Sequence, residues 1–345
     1  LETVHVVRWI LKTVGVLAVA AALALGLGYR MLSRPYQGFS GERMVEIPFG
    51  ASSREIARQL AEAGVIRSPW YFLAARAVQP KAVLQAGEYR FERPATVWEV
   101  FDRIRRGDVY TFEFTVPEGS NIWDIARLLE AQGIMHEHDF LAAASDPSLI
   151  ADIAPEAESL EGYLFPATYR LTRKTTAREL CRMMVEQFRK QWRSLGGEAP
   201  PHRWVTLASL VEEETGIPAE RGLVAGVFMN RLRKGMPLGC DPTVMYASRL
   251  SGITRAAIYK SDLRRPHRYN TYLNVGLPPG PISSPGRAAL EAALKPAETE
   301  ALYFVARPDG PGHVFSTTLA AHNRAVQHYR NGVAAPSSAK AGQAN

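Results

Sequence analysis

The first regularity along the chain is an uncharged apolar run over residues 13–29, TVGVLAVAAALALGLGY. Trp9, Ile10 and Leu11 extend it past Lys12, whose aliphatic stem lets its ammonium reach an interface. A helix of that length crosses about 30 Å of hydrocarbon. A cleaved signal peptide is the competing reading. No clear small-x-small site precedes the polar segment, however, and Tyr29, Arg30 and Arg34 follow at once as an aromatic and basic interfacial anchor. The pattern predicts a retained single span, with residues 9–29 in the bilayer. Arg8 and Lys12 on one side are matched by Arg30 and Arg34 on the other. The short stub and the long remainder are compatible with an N-terminus inside and a domain outside.

Residues 33–43 form a polar, Gly-containing linker. A strand–turn–helix pattern then occurs twice, 69 residues apart. Pro48/Pro117, Gly50/Gly119, Ile56/Ile125, Ala57/Ala126, Arg58/Arg127, Leu60/Leu129 and Gly64/Gly133 coincide. Each copy predicts a strand, a Pro-x-Gly turn, an N-capped helix (residues 53–64 and 122–133) and a Gly stop. After the first copy, residues 87–91 read as a strand and 97–104 as a helix capped near Thr96. Two copies are too few for a solenoid, so the pattern reads as duplication within an α+β fold.

Further on, residues 159–169 (SLEGYLFPATY) form an aromatic loop, 176–192 an amphipathic helix and 196–201 a break. A dense region covers 204–329, and an Ala/Ser/Pro/Gly-rich tail, 331–345, has the composition of a disordered segment. Within the dense region, residues 204–215 read WVTLASLVEEET. Leu207, Leu210, Val211 and Glu214 fall at i, i+3, i+4 and i+7, one face of a helix that stops at Gly216-Ile217-Pro218. Glu214 thus continues an apolar stripe, while Glu212 and Glu213 rotate toward solvent or a groove edge. A carboxyl on an apolar face is desolvated, which raises its pKa and suits it to general-acid work. The plainer alternative is a solvated acidic helix end countered by Arg221 or Arg231.

Composition narrows the choice of partner. The 345 residues are 46% apolar and 22% charged, ordinary for a protein with a buried core, and carry a net charge of +7. A basic surface favours an anionic partner without choosing among nucleic acid, lipid headgroups and cell-wall polymer. Two cysteines, Cys181 and Cys240, make no disulfide framework, and there is no CxxC zinc signature. His136-Glu137-His138 alternates on an expected loop, where solvent exposure is the simpler reading than a metal site.

Around the acidic helix lie VFMNRL with Asn230 and Arg231 on a helix, Asp241-Pro242-Thr243 with Tyr246 nearby, Tyr269-Asn270-Thr271-Tyr272, GLPPGP at 276–281, His313-Val314-Phe315 and His322-Asn323. Aromatic faces that stack on sugar rings, with amides and hydroxyls that bond sugar hydroxyls, suit a glycan groove. In order and spacing, ASLVEEET, VFMNRL, DPTVMY, YNTY, GLPPGP, SPG and HVFS…HN resemble the MltG/YceG family of membrane-anchored endolytic murein transglycosylases. EGYLFPATY resembles an upstream family motif, with Ala167 where the family usually carries Asp, and residues 44–110 resemble its LysM-like module.

The resemblance implies an N-terminal stub and transmembrane helix (1–34), a LysM-like α+β module (35–112), a mixed α/β catalytic domain (113–330) with the second repeat copy at 115–145, and the tail. It implies a single-pass protein of the bacterial inner membrane whose catalytic domain lies outside the cytoplasm. The implied reaction cleaves MurNAc-β-1,4-GlcNAc bonds without water, Glu214 serving first as acid and then as base while the MurNAc C6 hydroxyl closes on C1. Glu161 and Asp241 are the candidates for a second carboxylate, and Glu161, Glu212, Asn230, Arg231, Asp241, Thr243, Tyr246, Tyr269, Asn270, Thr271, Tyr272, His322 and Asn323 for substrate support. No metal or cofactor is required. Peptidoglycan glycan strands are the implied partner, peptidoglycan synthases a further candidate, and nucleic acid is not expected because no basic-aromatic motif is present. A water-using muramidase and a non-catalytic glycan-binding scaffold are the rival readings.

Overall fold

The computed structural model describes residues 2–197, 201–254 and 257–334 of a mixed α+β chain. The chain divides into two compact units, Leu1–Phe112 and Glu113–Asn345. The first carries α1 (Glu2–Leu32), β1 (Arg43–Ile47), α2 (Ser53–Glu62), α3 (Pro69–Val78), β2 (Gly87–Phe91) and α4 (Val97–Arg106). Then follow β3 (Phe112–Thr115), α5 (Ile122–Ala131), α6 (Glu137–Ala144), β4 (Thr168–Leu171), α7 (Ala177–Ser194), α8 (His202–Glu214), α9 (Pro218–Arg233) and α10 (Asp241–Leu250). The last elements are α11 (Lys260–Leu263), α12 (Arg287–Leu294), β5 (Tyr303–Ala306), β6 (His313–Ser316) and α13 (Leu319–Ala334).

Helix α1 overruns the predicted apolar run at both ends, because Lys12 and Arg30 are good helix formers and nothing interrupts the backbone ladder. Its segment Leu11–Leu32, with mean hydropathy 1.9 and no burial, is long and apolar enough to cross a membrane. In the rest of the first unit, β1 and β2 pair antiparallel, Arg43 opposite Phe91 and Ile47 opposite Gly87. The alternation buries Val45, Ile47, Tyr89 and Phe91 against Ile56 and Leu60 of α2, Phe72 of α3, and Phe101 and Ile104 of α4.

Both repeat copies take the same local structure. Ser52 and Asn121 cap α2 and α5 in reciprocal boxes with Glu55 and Asp124, a motif worth about 1 kcal/mol per cap. Both helices end two residues before the glycines that were predicted to stop them. Gly64 and Gly133 sit just outside at φ +74° and +66°. The next amides, of Val65 and Ile134, reach back 2.9 Å to the carbonyls of Leu60 and Leu129, the closure that favours a left-handed glycine. The strands find different partners, β1 with β2 and β3 with β4.

Helices dominate the second unit. α8 packs against α9, α10 and α12, and β5 pairs antiparallel with β6. Several boundaries depart from expectation. Pro218 opens α9 rather than closing α8, since proline fits a first helical turn that has no N–H to donate inward. The Asp-Pro-Thr motif likewise starts α10. His136 immediately precedes α6, without a side-chain capping bond, and His138 lies in the helix; both are exposed beside Glu130 and Asp139. α13 takes in residues 331–334 of the expected tail, whose remainder lies outside the described residues, as do residues 198–200 of the expected break.

Candidate active site

Helix α8 is buried on every side, not along one stripe: Val205 through Val211 are all enclosed. Its polar residues are therefore bonded internally. Thr206 Oγ1 donates to the His202 carbonyl at 2.8 Å and Ser209 Oγ to the Thr206 carbonyl at 2.8 Å. His202 Nε2 lies 2.8 Å from the Pro279 carbonyl, which can only accept, so Nδ1 accepts from the Tyr163 hydroxyl at 3.0 Å. The Pro-rich loop is held along α8 by this bond and by the Ile282 amide on Ser209 Oγ at 3.1 Å. Gly162, at φ +81°, admits the loop: a Cβ there would lie 2.4 Å from Pro281 Cβ.

This frame projects the last turn of α8 into an open cleft of about 640 Å³. Glu214, Arg231, Asp241, Tyr272, His322 and Asn323 line it together. Burial pushes the Glu214 carboxyl above its ordinary range, and the nearby Asp241 carboxylate adds to the rise. A hydrogen bond with the enclosed Cys240 thiol, and the charges of His313 and Arg231, oppose it. Asp241 accepts from the Tyr272 hydroxyl at 2.5 Å. Arg231 is fixed by the Leu302 and Leu238 carbonyls, each at 2.6 Å, and lies over the Tyr303 ring. His322 stacks on Tyr303 at 5.2 Å, and its buried Nδ1 has no protein partner. A carboxyl held partly desolvated beside an open groove can deliver and recover a proton.

Of the two preceding carboxylates, expected toward solvent or a groove edge, Glu212 departs from that expectation. Glu212 is enclosed: Oε1 meets Arg221 Nη2 at 2.6 Å and Oε2 accepts the Gly286 amide at 2.9 Å. Glu213 is exposed as a residue, but its carboxyl turns toward Gly119 and Ser283. Burial there, then the Glu212, Asp124 and Glu214 charges, lift it to about 7 against the lowering contact of Ser283.

The remaining candidates lie elsewhere. Asn230 donates to the Thr299 and Ala301 carbonyls at 2.7 and 2.9 Å, and Asn270 to the Leu263 and Arg265 carbonyls at 3.1 and 2.9 Å. Both amides clamp loops. Thr243 and Thr271 hydroxyls bond each other at 2.9 Å, and Thr271 Oγ1 accepts the Cys240 amide, so this pair holds Cys240, whose thiol bonds Glu214. Glu161, Tyr246 and Tyr269 line a separate cavity. Sequence reasoning did not pick out Tyr303 and Phe304 for the cleft, nor Cys240 as the partner of Glu214. A lone cysteine before Asp-Pro-Thr and two aromatics on a four-residue strand carry no chemical pattern of their own.

Glu161 is 3% exposed. Burial pushes its carboxyl up to about 8 despite hydrogen bonds from the Ile122 and Gly162 amides and the Tyr246 hydroxyl. Above the unfolded pKa, near 4.3, the unfolded chain loses this proton while the folded chain keeps it. Stability contributed by the neutral group is therefore full in acid and drains away as pH rises toward 8. Glu161→Gln cannot ionise. Its unfolding free energy is expected to match wild type near pH 3.5, below the unfolded pKa, and exceed it by about 2–4 kcal/mol at pH 7, read from urea melts at both pH values.

The sequence model of the YceG-like family matches residues 45–328. An endolytic murein transglycosylase of Bacillus subtilis (strain 168) is 34% identical over 306 residues, covering 83% of this chain and 84% of its own. One from Streptococcus pneumoniae serotype 2 (strain D39) is 29% identical over 320 residues, covering 83% of this chain and 58% of its own. The crystal structure of a yceG-like protein from Listeria monocytogenes superposes with a TM-score of 0.53 at 31% identity, covering 82% of this chain and 98% of that one. By a match over most of its length and by this likeness to a curated relative, the chain belongs to the YceG-like family.

Proposed function

We propose that this chain is a membrane-anchored endolytic lytic transglycosylase that cuts MurNAc-β-1,4-GlcNAc bonds in nascent peptidoglycan strands, leaves 1,6-anhydroMurNAc ends, and so acts in wall assembly and glycan-length control. The observation that carries this reading is the Glu214 carboxyl, partly desolvated and raised in pKa at the wall of an open cleft with Arg231, Asp241 and Tyr272. Glu214 donates its proton to the glycosidic oxygen, then withdraws one from the MurNAc C6 hydroxyl as that oxygen attacks C1. The nucleophile belongs to the substrate, so proximity replaces the second carboxylate that a hydrolase needs. Asp241, bonded to Tyr272, keeps negative charge beside the oxocarbenium-like centre and helps hold the proton on Glu214. Tyr272, His322 and Asn323 contact the sugar. These steps need no metal or cofactor.

The β-α-α-β order of residues 43–91 supports reading residues 35–112 as a LysM-like glycan-positioning module, with catalysis in 113–330. Helix α1 serves as a single-pass anchor with its N-terminus in the cytoplasm. Protease added to spheroplasts is then expected to digest the domain, whereas survival of the domain until lysis reverses the orientation. The reaction itself is tested by mass spectrometry of products from purified glycan. Cleavage by this route gives termini lighter by one water than those of hydrolysis, and reducing MurNAc ends alone identify a muramidase.

A further inference from the structure

The first unit leaves apolar surface uncovered where α1 joins it. Leu32, at the end of α1, packs against the core of the unit. Beside it opens a groove of about 720 Å³, lined by Ala24, Leu25, Gly28 and Tyr29 of α1, Val78 of α3 and Trp98 of α4. Val78 also ends a stripe on α3. Trp70, Ala74, Ala77 and Val78 fall at i, i+4, i+7 and i+8 and are all exposed, Trp70 by 75% and Val78 by 67%. Phe72 and Ala75, on the opposite face, are buried. α3 is therefore apolar all round, with Arg76 its one charge. A helix of that pattern is covered on both faces, by protein or by lipid.

Depth and charge identify the cover. The apolar segment Leu11–Leu32 has 22 residues, a helix of about 33 Å, close to the thickness of the hydrocarbon. Leu25 lies about 10 Å short of Leu32 along that axis, so the groove reaches below the level at which the span ends. Val78 and Trp98 share the groove with Leu25 and come to the same depth. Tyr29, Trp70 and Trp98 are of the residue types that settle at a bilayer interface. The cations keep to the end of the span. Arg34 and Arg67 line a smaller cavity with Met31, and Arg76 donates to the Gln79 carbonyl at 2.7 Å, bracketing Val78. Residues 11–41 and 63–87 carry Lys12, Arg30, Arg34, Arg67, Arg76 and Lys81 and no Asp or Glu. Such a surface attracts anionic headgroups and repels a second copy of itself.

We propose that this face of the first unit docks on the anionic phospholipid of the bilayer. Acyl chains fill the groove between α1 and the Val78 and Trp98 side chains. The Trp70–Val78 stripe of α3 lies in the interfacial layer, and Arg34, Arg67, Arg76 and Lys81 meet headgroup phosphates. The inference rests on the reading of α1 as a membrane anchor and adds to it a second, peripheral contact. With α3 docked, α1 is not a loose tether, and the first unit is held flush against the membrane surface.

The test places an environment-sensitive nitrobenzoxadiazole label on the full chain in nanodiscs of phosphatidylethanolamine and phosphatidylglycerol. Cys181 and Cys240 are enclosed, so Ala74→Cys, Val78→Cys, Arg58→Cys and Val19→Cys each add one reactive thiol. Doxyl-labelled phosphatidylcholines, with the spin label shallow or deep in the acyl chain, act as quenchers. The labels at Ala74 and Val78 are expected to emit to the blue and to lose most of their intensity to the shallow quencher. The label at Arg58, exposed on α2, should lose little. Adding Trp70→Ser and Val78→Asp should return the Ala74 label to the level of Arg58, with circular dichroism unchanged. Water-like emission at Ala74 and Val78 overturns the docking. Blue-shifted emission that ignores the doxyl lipids also overturns it, because protein would then be the cover. The Val19 label, on α1, separates the two readings. If the deep quencher reaches Val19 while Ala74 and Val78 stay unquenched, the docking alone is wrong. If Val19 is unquenched as well, the anchor reading falls and the docking falls with it.

Discussion

Glu214→Gln is expected to lower release of anhydroMurNAc ends by about 10²–10⁴-fold, equivalent to roughly 3–5 kcal/mol of barrier. The upper end is anticipated because one residue serves in both half-reactions, and the amide can neither give the proton nor take it back. Fold and glycan affinity should survive, since the amide keeps the size of the side chain and the Cys240 contact does not need a charge. Glu213→Gln is the informative companion. Its carboxyl also titrates high, at about 7, but it faces Gly119 and Ser283 rather than the cleft, so most activity should remain. Steady-state release from purified peptidoglycan, with circular dichroism of each variant, measures both.

Glu212→Ala is expected to be lost to unfolding rather than to chemistry. The Glu212 and Arg221 side chains are 6% and 9% exposed and meet at 2.6 Å. Removing one partner leaves a buried guanidinium whose remaining ionic contact is Glu118 at 3.7 Å, and frees the Gly286 amide. Breaking such a pair costs about 3–5 kcal/mol, a fall in melting temperature of roughly 6–20 °C for a unit of this size. Glu212→Gln, which keeps an acceptor for Gly286, should fall between it and wild type. Differential scanning calorimetry in detergent reads the shift, and an unchanged melting temperature would show that the ion pair contributes nothing.

The parts of this fold that were legible in the sequence are those governed by local rules. The capping boxes of α2 and α5, the left-handed glycines 64 and 133 and the Gly87–Phe91 strand are short-range features, each written within a few residues of chain. What was not legible depends on contacts between distant segments. The i, i+3, i+4, i+7 stripe singled out Glu214, but α8 is enclosed all round, so periodicity could not separate it from Glu212. What separates them is Arg221, which takes Glu212 out of the cleft. Tyr246 and Tyr269 read as part of one sugar groove with Glu214 because aromatics and amides cluster along the chain. Five residues of helix α10 are enough to carry Tyr246 from the cleft to the other cavity. Asn230 and Asn270 read as sugar ligands because an amide is equally suited to clamping a loop, and only the fold shows which it does.

The central claim is that Glu214 alone moves the proton in a reaction that consumes no water. The most direct measurement is a side-by-side digest of purified glycan strands by the wild-type and Glu214→Gln chains, with anhydroMurNAc and reducing MurNAc ends quantified by mass spectrometry. The account predicts anhydro ends from wild type and essentially none from the variant. Near-normal release by Glu214→Gln, or reducing ends as the wild-type product, would contradict it.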